Sequence, residues 1–209
     1  MEEITGRDET PEATHLLEVH SGEGQVFMDN LRARTLHNSV AQLLFTSTIC
    51  RKDIQTAVVL LKTRVRAPDE YDRKKMRRLF KYVKYTIQLP LILSADNLNV
   101  IKWWVDASYA AHDDMHRHTG ANMSLGCGLV LSMSKKQKLN TKSSTKAELI
   151  GANDALPQMF WNKYFIESQV YGIDENIMYQ DNLSAMMLET NGNKSSTKKT
   201  KHQGPVRNR

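Results

Sequence analysis

One stretch, Trp103-Trp-Val-Asp-Ala-Ser108, constrains this chain more than any other. Apolar residues lead into a single carboxylate, and small residues follow at once. The pattern reads as a buried strand that delivers Asp106 at its end. A charge on an apolar strand is costly unless something pairs with it. Two further acids have similar settings. Glu148 stands where the Ser/Thr-rich run Ser143–Thr145 turns into a helix, and Asp181 ends the short strand Ile177–Asp181, before Asn182 and Ser184 open another helix. Acids arriving from strand end, helix start and strand end can converge on a divalent cation. Spacing alone leaves two readings open, a metal site or three unrelated surface acids.

The flanking sequence reads as follows. Residues 1–33 form an acidic, irregular arm (Glu2, Glu3, Asp8, Glu9, Glu12, Glu18, Glu23) with one short strand at Leu16–Val19, and its acidity could screen a basic body or simply link. Residues 34–66 carry helical stripes: Leu36, Val40, Leu43 and Leu44, then Ile54, Ala57, Val58, Leu61 and Val65, with Asp53 as a cap. Pro68 starts a third helix whose first turn holds Asp69, Glu70 and Asp72. Seven of the twelve residues from Arg73 to Lys84 are basic: Arg73, Lys74, Lys75, Arg77, Arg78, Lys81 and Lys84. That face suits either solvent or nucleic-acid phosphates.

Thr86–Ser94 alternates like an edge strand containing Pro90. Strands are then expected at Val100–Asp106, His118–Leu125 and Gly128–Met133. His112, Asp113, Asp114, His116 and His118 fall in a polar hairpin connection and are not assigned to metal. A loop at Lys135–Lys142, with Lys135, Lys136, Lys138 and Lys142, places positive charge before Glu148. Ser144 or Thr145 caps a long helix to Gln169 that Pro157 should kink. Its Trp161, Tyr164 and Phe165 read as core. Residues 191–209 are polar, basic and expected to be disordered.

The 209 residues carry a net charge of +6 and a pI of about 9.3, which favours a polyanionic partner. Cys50 and Cys127 match no zinc spacing or disulfide framework, so free thiols and a reducing compartment are expected. No apolar run approaches the ~20 residues that span a bilayer, and the charged N-terminus is unlike a signal peptide. The expectation is an intracellular protein, cytoplasmic, nuclear or in a virus-like particle, with no membrane partner.

An ordered set of short pieces resembles copia-type retrotransposon polyproteins. They are Leu43-Leu-Phe-Thr-Ser47, Arg51-Lys-Asp-Ile54, Pro68-Asp-Glu70, Leu79-Phe-Lys-Tyr82, Trp104-Val-Asp-Ala-Ser108, His118-Thr-Gly120, Lys136–Thr145, Ala147-Glu-Leu149, Gln180-Asp-Asn182 and Thr200-Lys-His202. The resemblance covers the region after the reverse transcriptase palm and the ribonuclease H domain. Beside the acidic arm (1–33) and basic tail (191–209) read from composition, it implies a helical thumb- or connection-like segment (34–86) and an incomplete α/β ribonuclease H-like mixed sheet with flanking helices (87–190). It further implies that Asp106, Glu148 and Asp181 are catalytic ligands of Mg²⁺ or Mn²⁺ that hydrolyse RNA in an RNA–DNA hybrid. Arg73, Lys74, Arg77, Arg78, Lys81, Lys135, Lys136, Lys138 and Lys142 would contact nucleic acid, and the rest of a polyprotein would be a partner.

The sequence departs from that family. The polymerase palm is absent, Lys146 replaces a usual glutamate, and the pattern stops after His202. A fourth acid, a last strand and its covering helix are therefore missing, which points to a degenerate or truncated element. The alternatives are a non-catalytic nucleic-acid-binding remnant or a non-functional transposon-derived reading frame.

Overall fold

A computed structural model describes residues 6–11, 25–108, 117–139, 141 and 143–191. The expected strand at Leu16–Val19, the run His112–His116, Lys142 and the tail beyond Asn191 lie outside them. The chain forms two compact units, one reaching Leu93 and the other beginning at Ser94.

The first unit is helical. Asp29 accepts a bond from the Arg32 amide and caps α1 (Asn30–Ile49), so this helix begins four residues before the expected start. Leu36, Val40, Leu43 and Ser47 face inward at helical spacing. A single 3₁₀ turn (Lys52–Ile54) leads into α2 (Gln55–Arg64). Asp53 does not cap it. Its carboxylate instead takes Arg51 Nη2 at 2.8 Å and the Tyr82 hydroxyl at 2.8 Å, a stronger offer than an exposed helix end. Nor is Pro68 the first residue of α3 (Glu70–Tyr85). Asp69 is the N-cap and forms a capping box with Asp72, while the Pro68 carbonyl accepts from Met28 N at 3.0 Å. Ile54, Val58, Leu61 and Leu79 are at most 1% exposed and close the core between the three helices. Each such side chain contributes about 1.5–3 kcal/mol by burial.

Thr86–Leu93 is not a strand. A turn at Thr86–Gln88 passes into irregular chain, and Ile87, Leu89, Leu91, Ile92 and Leu93 are all exposed. Alternation makes a strand only where a neighbour supplies the other half of the hydrogen bonds, and none does here among the described residues. Pairing starts at β1 (Ser94–Ala95), which is antiparallel to β4 (Gly126–Cys127).

The second unit is a mixed sheet of four strands, β2 (Val100–Ser108), β3 (His118–Ser124), β5 (Leu131–Lys136) and β6 (Glu175–Tyr179). Their order across the sheet is β5-β3-β2-β6. β2 runs antiparallel to β3 and parallel to β6. The β3–β5 connection is wider than the expected tight turn because Gly126 and Cys127 are engaged with β1. At Gly126 an added Cβ would lie 2.5 Å from the Asp96 amide nitrogen, so only glycine fits. Gly128 has φ +75°, which also favours glycine. β5 begins at Leu131, so Lys135 and Lys136 are strand residues and not loop residues.

Helix α4 (Ser144–Ser168) covers one face of the sheet. Ile101, Trp103 and Val105 of β2, Ala121 and Met123 of β3, and Ala155 and Met159 of α4 form the core with Ile173. The helix continues through Pro157. The carbonyl that loses its donor belongs to Asn153, and both residues are exposed, so water can replace the bond. Trp161, Tyr164 and Phe165 are 50–63% exposed and not core, because small residues occupy the sheet-facing stripe. They stack outside instead, Trp161 on Phe165 at 5.3 Å and Phe160 on Tyr164 at 6.4 Å. Helix α5 (Leu183–Asn191) follows β6.

Candidate metal centre

The parallel register of β2 and β6 builds the site. Trp104 pairs with Tyr179, so two residues further along each chain Asp106 and Asp181 arrive side by side. Strand β6 ends at Tyr179, short of the expected Asp181, which sits in the bend before α5. Asn182 fixes that bend by accepting from the Ala185 amide at 3.0 Å.

Glu148 comes from the start of α4. The cap is Ser143, which accepts from the Lys146 amide, and not Ser144 or Thr145. A close approach of helix to sheet brings Glu148 inward. Ala147, Gly151, Ala152 and Ala155 are buried, and a Cβ at Gly151 would lie 3.5 Å from the Ala107 Cβ. Gln137 pins this end of the helix. Its buried amide donates to Thr119 Oγ1 at 3.0 Å and to the Ala147 carbonyl at 2.9 Å.

Asp106, Glu148 and Asp181 thereby each place one carboxylate oxygen within 4.8 Å of the others. Glu148 is buried, and the two aspartates are exposed. Burial, first, and then the neighbouring charges of Asp106 and Asp181 push the Glu148 carboxyl above its ordinary value, against a hydrogen bond from Gln180 and one from the Ala107 backbone. Gln180 Nε2 donates to Glu148 Oε2 at 3.4 Å, and the Ala107 amide donates to Asp106 Oδ1 at 2.7 Å. Three oxygens that repel one another fit a small divalent cation, which would relieve both the repulsion and the burial cost.

The sign of the consequence is fixed. A carboxyl raised in the folded state contributes stability that is fully present below its unfolded value, near 4.5, and is lost as pH rises through its folded value. In EDTA, the melting temperature of the parent minus that of Glu148→Gln should therefore fall as pH rises from mildly acidic to neutral. A pH-independent difference contradicts this.

The remaining expected site residues are placed as follows. Arg73, Lys74, Arg77, Arg78 and Lys81 lie along α3 in the helical unit. Arg73 pairs with Glu70 at 2.6 Å, and the Lys74 ammonium lies 4.9 Å from the Tyr71 ring centre. Lys75 turns inward instead, 3.9 Å from Asp72, so it does not join the outer face. Lys135 is 3.4 Å from Asp154, and Lys138 is exposed. Lys136 is half-buried at the end of β5. Gln137 and Gln180 were not foreseen as supports for the carboxylates. Only the position of Gln180 beside Asp181 hinted at its part.

No described helix is long and apolar enough to cross a membrane. No family model matches the chain. It is 26% identical over 155 residues to a retrovirus-related Pol polyprotein from transposon TNT 1-94 of Nicotiana tabacum, covering 74% of this chain and 12% of that protein. It is 29% identical over 122 residues to a putative transposon Ty5-1 protein of Saccharomyces cerevisiae, covering 57% of this chain and 40% of that one. An uncharacterized mitochondrial protein of Arabidopsis thaliana is 26% identical over 125 residues, covering 59% and 52%. The chain thus spans about an eighth to about half of the length of these curated relatives.

Proposed function

We propose that this chain, whose homologues are copia-type and Ty retrotransposon polyproteins, carries a ribonuclease H-like domain that hydrolyses the RNA strand of RNA–DNA hybrids. The observation that carries the reading is the convergence of Asp106, Glu148 and Asp181 within 4.8 Å. Their hard oxygen donors suit Mg²⁺ or Mn²⁺ better than zinc. Bound there, such an ion would polarise the phosphodiester and lower the pKa of water.

The chain's own residues orient and hold. The Ala107 amide fixes one oxygen of Asp106 and leaves the other for a ligand. Gln180 holds Glu148 from the β6 side, and Gln137 holds the helix that carries it. A hybrid duplex is read by shape, phosphates and 2′-hydroxyls, so little base specificity follows. Lys135 and Lys136 of β5, Lys138 just after it, and Lys142, which lies outside the described residues, would contact phosphates. The helical unit reads as a thumb- or connection-like segment, and Arg73, Lys74, Arg77, Arg78 and Lys81 give α3 a second phosphate-contacting face. That face favours the second reading, nucleic-acid binding without catalysis.

A labelled hybrid incubated with purified protein separates the two. Cleavage in Mg²⁺ or Mn²⁺ that EDTA and Asp106→Asn both abolish supports the enzyme. Salt-sensitive binding without cleavage, from a sample with intact circular dichroism, leaves the binding module.

A further inference from the structure

Residues 6–11 lie against α3. Asp8 places Oδ1 3.2 Å from Arg78 Nη1 and Oδ2 3.9 Å from Lys81 Nζ. Arg78 Nη2 donates to Thr10 Oγ1 at 2.8 Å. The guanidinium of Arg7 sits 3.9 Å from the Tyr85 ring centre, over the end of the same helix. A Cβ on Gly6 would be 3.4 Å from Lys81 Nζ, so the chain crosses directly above that ammonium.

A carboxylate is thus held by one guanidinium nitrogen and an ammonium one helical turn apart, while the second guanidinium nitrogen takes the Thr10 hydroxyl. The same two groups, at that spacing, suit a phosphodiester. Asp8 and Thr10 satisfy the site incompletely, because Arg78 Nε is buried without an acceptor among the described residues. Lys74, Arg77 and Lys84 are exposed on the same helix, in the stripe that Arg78 and Lys81 continue.

We propose that Arg78 and Lys81 form a phosphate site for a nucleic-acid backbone, and that the Gly6–Pro11 segment, with Asp8 seated in it, competes with nucleic acid for that site. The proposal rests on the reading of α3 as a nucleic-acid face. The competition is mild. The Asp8 side chain is 21% exposed and those of Arg78 and Lys81 are 25% and 27%, so water still reaches the pairs and screens them in part. The segment therefore tunes affinity and does not block binding.

The test is binding of the full chain to a short labelled RNA–DNA hybrid in EDTA at low salt, where metal-dependent cleavage plays no part. Asp8→Asn should tighten binding about 3- to 10-fold. Glu9→Gln makes the same change in formal charge but removes a partner of Arg7 only, and should change binding less than about twofold. Arg78→Ala/Lys81→Ala should weaken binding and reduce the salt slope by about two. In that background Asp8→Asn should do nothing. Equal effects of Asp8→Asn and Glu9→Gln would overturn the proposal, as would a gain that persists without Arg78 and Lys81. Hybrid binding by the parent with no response to Asp8→Asn removes the competing segment alone. A parent that binds no hybrid removes the α3 reading with it.

Discussion

Glu148→Gln is expected to slow Mg²⁺-dependent hybrid cleavage by on the order of 10³-fold while raising the melting temperature of the metal-free protein. The two effects have opposite signs because one carboxylate causes both. Glu148 is 5% exposed and faces two other carboxylates. The metal-free folded chain bears that repulsion, and on the proposed reading a bound cation would relieve it. A neutral amide of the same shape removes the repulsion, a gain of about 1–2 kcal/mol or a few degrees. On the proposed reading it would also remove a charged ligand from the cation. Calorimetry in EDTA and in Mg²⁺ measures both at once. The parent should gain stability from Mg²⁺, and Glu148→Gln should gain much less. Equal gains in the two proteins would mean that Glu148 holds no metal.

Trp103→Ala should cost about 3–5 kcal/mol and leave the sheet unit largely unfolded, whereas Trp104→Ala should cost well under half as much. The two tryptophans are adjacent in sequence and opposite in environment. Trp103 is 0% exposed, packed between β2 and α4 at the centre of the sheet. Trp104 is 43% exposed on the other face and stacks on Tyr179 at 5.4 Å. Removing Trp103 opens a cavity among small residues and methionines, which cannot close around it fully. Its indole nitrogen has no acceptor among the described residues, so the loss is one of packing and not of a hydrogen bond. Urea midpoints of the two variants check this, and equal costs would contradict the assignment of faces.

The parts legible in the sequence were those fixed by short-range pattern. The strand carrying Asp106, the helix carrying Glu148 and the helix opening after Asn182 follow from apolar runs and capping chemistry, although β2 continues to Ser108, the cap of α4 is Ser143, and Asp181 lies two residues beyond the end of β6. The misses share a different cause, competition from partners far along the chain. Asp53 looked like a cap until Arg51 and Tyr82 offered better partners. Thr86–Leu93 alternated like a strand but had no neighbour to pair with among the described residues. The large aromatics of α4 looked like core because hydrophobicity is visible in sequence. The need for alanine and glycine against a close sheet is visible only in packing. Gln137, which pins α4 to β3, carried no signal at all within a lysine-rich run.

The parallel pairing of β2 with β6 has a consequence for how such a sequence can drift. Asp106 and Asp181 are 75 positions apart, yet their meeting depends on register and not on the length between them. The connections between elements can gain or lose residues while the two acids still meet. A slip of a single residue within either strand turns its acid to the opposite face of the sheet. In a decaying copy, then, insertions between elements can be silent for this site, whereas one inside Val100–Asp106 or Glu175–Asp181 dismantles it at a stroke.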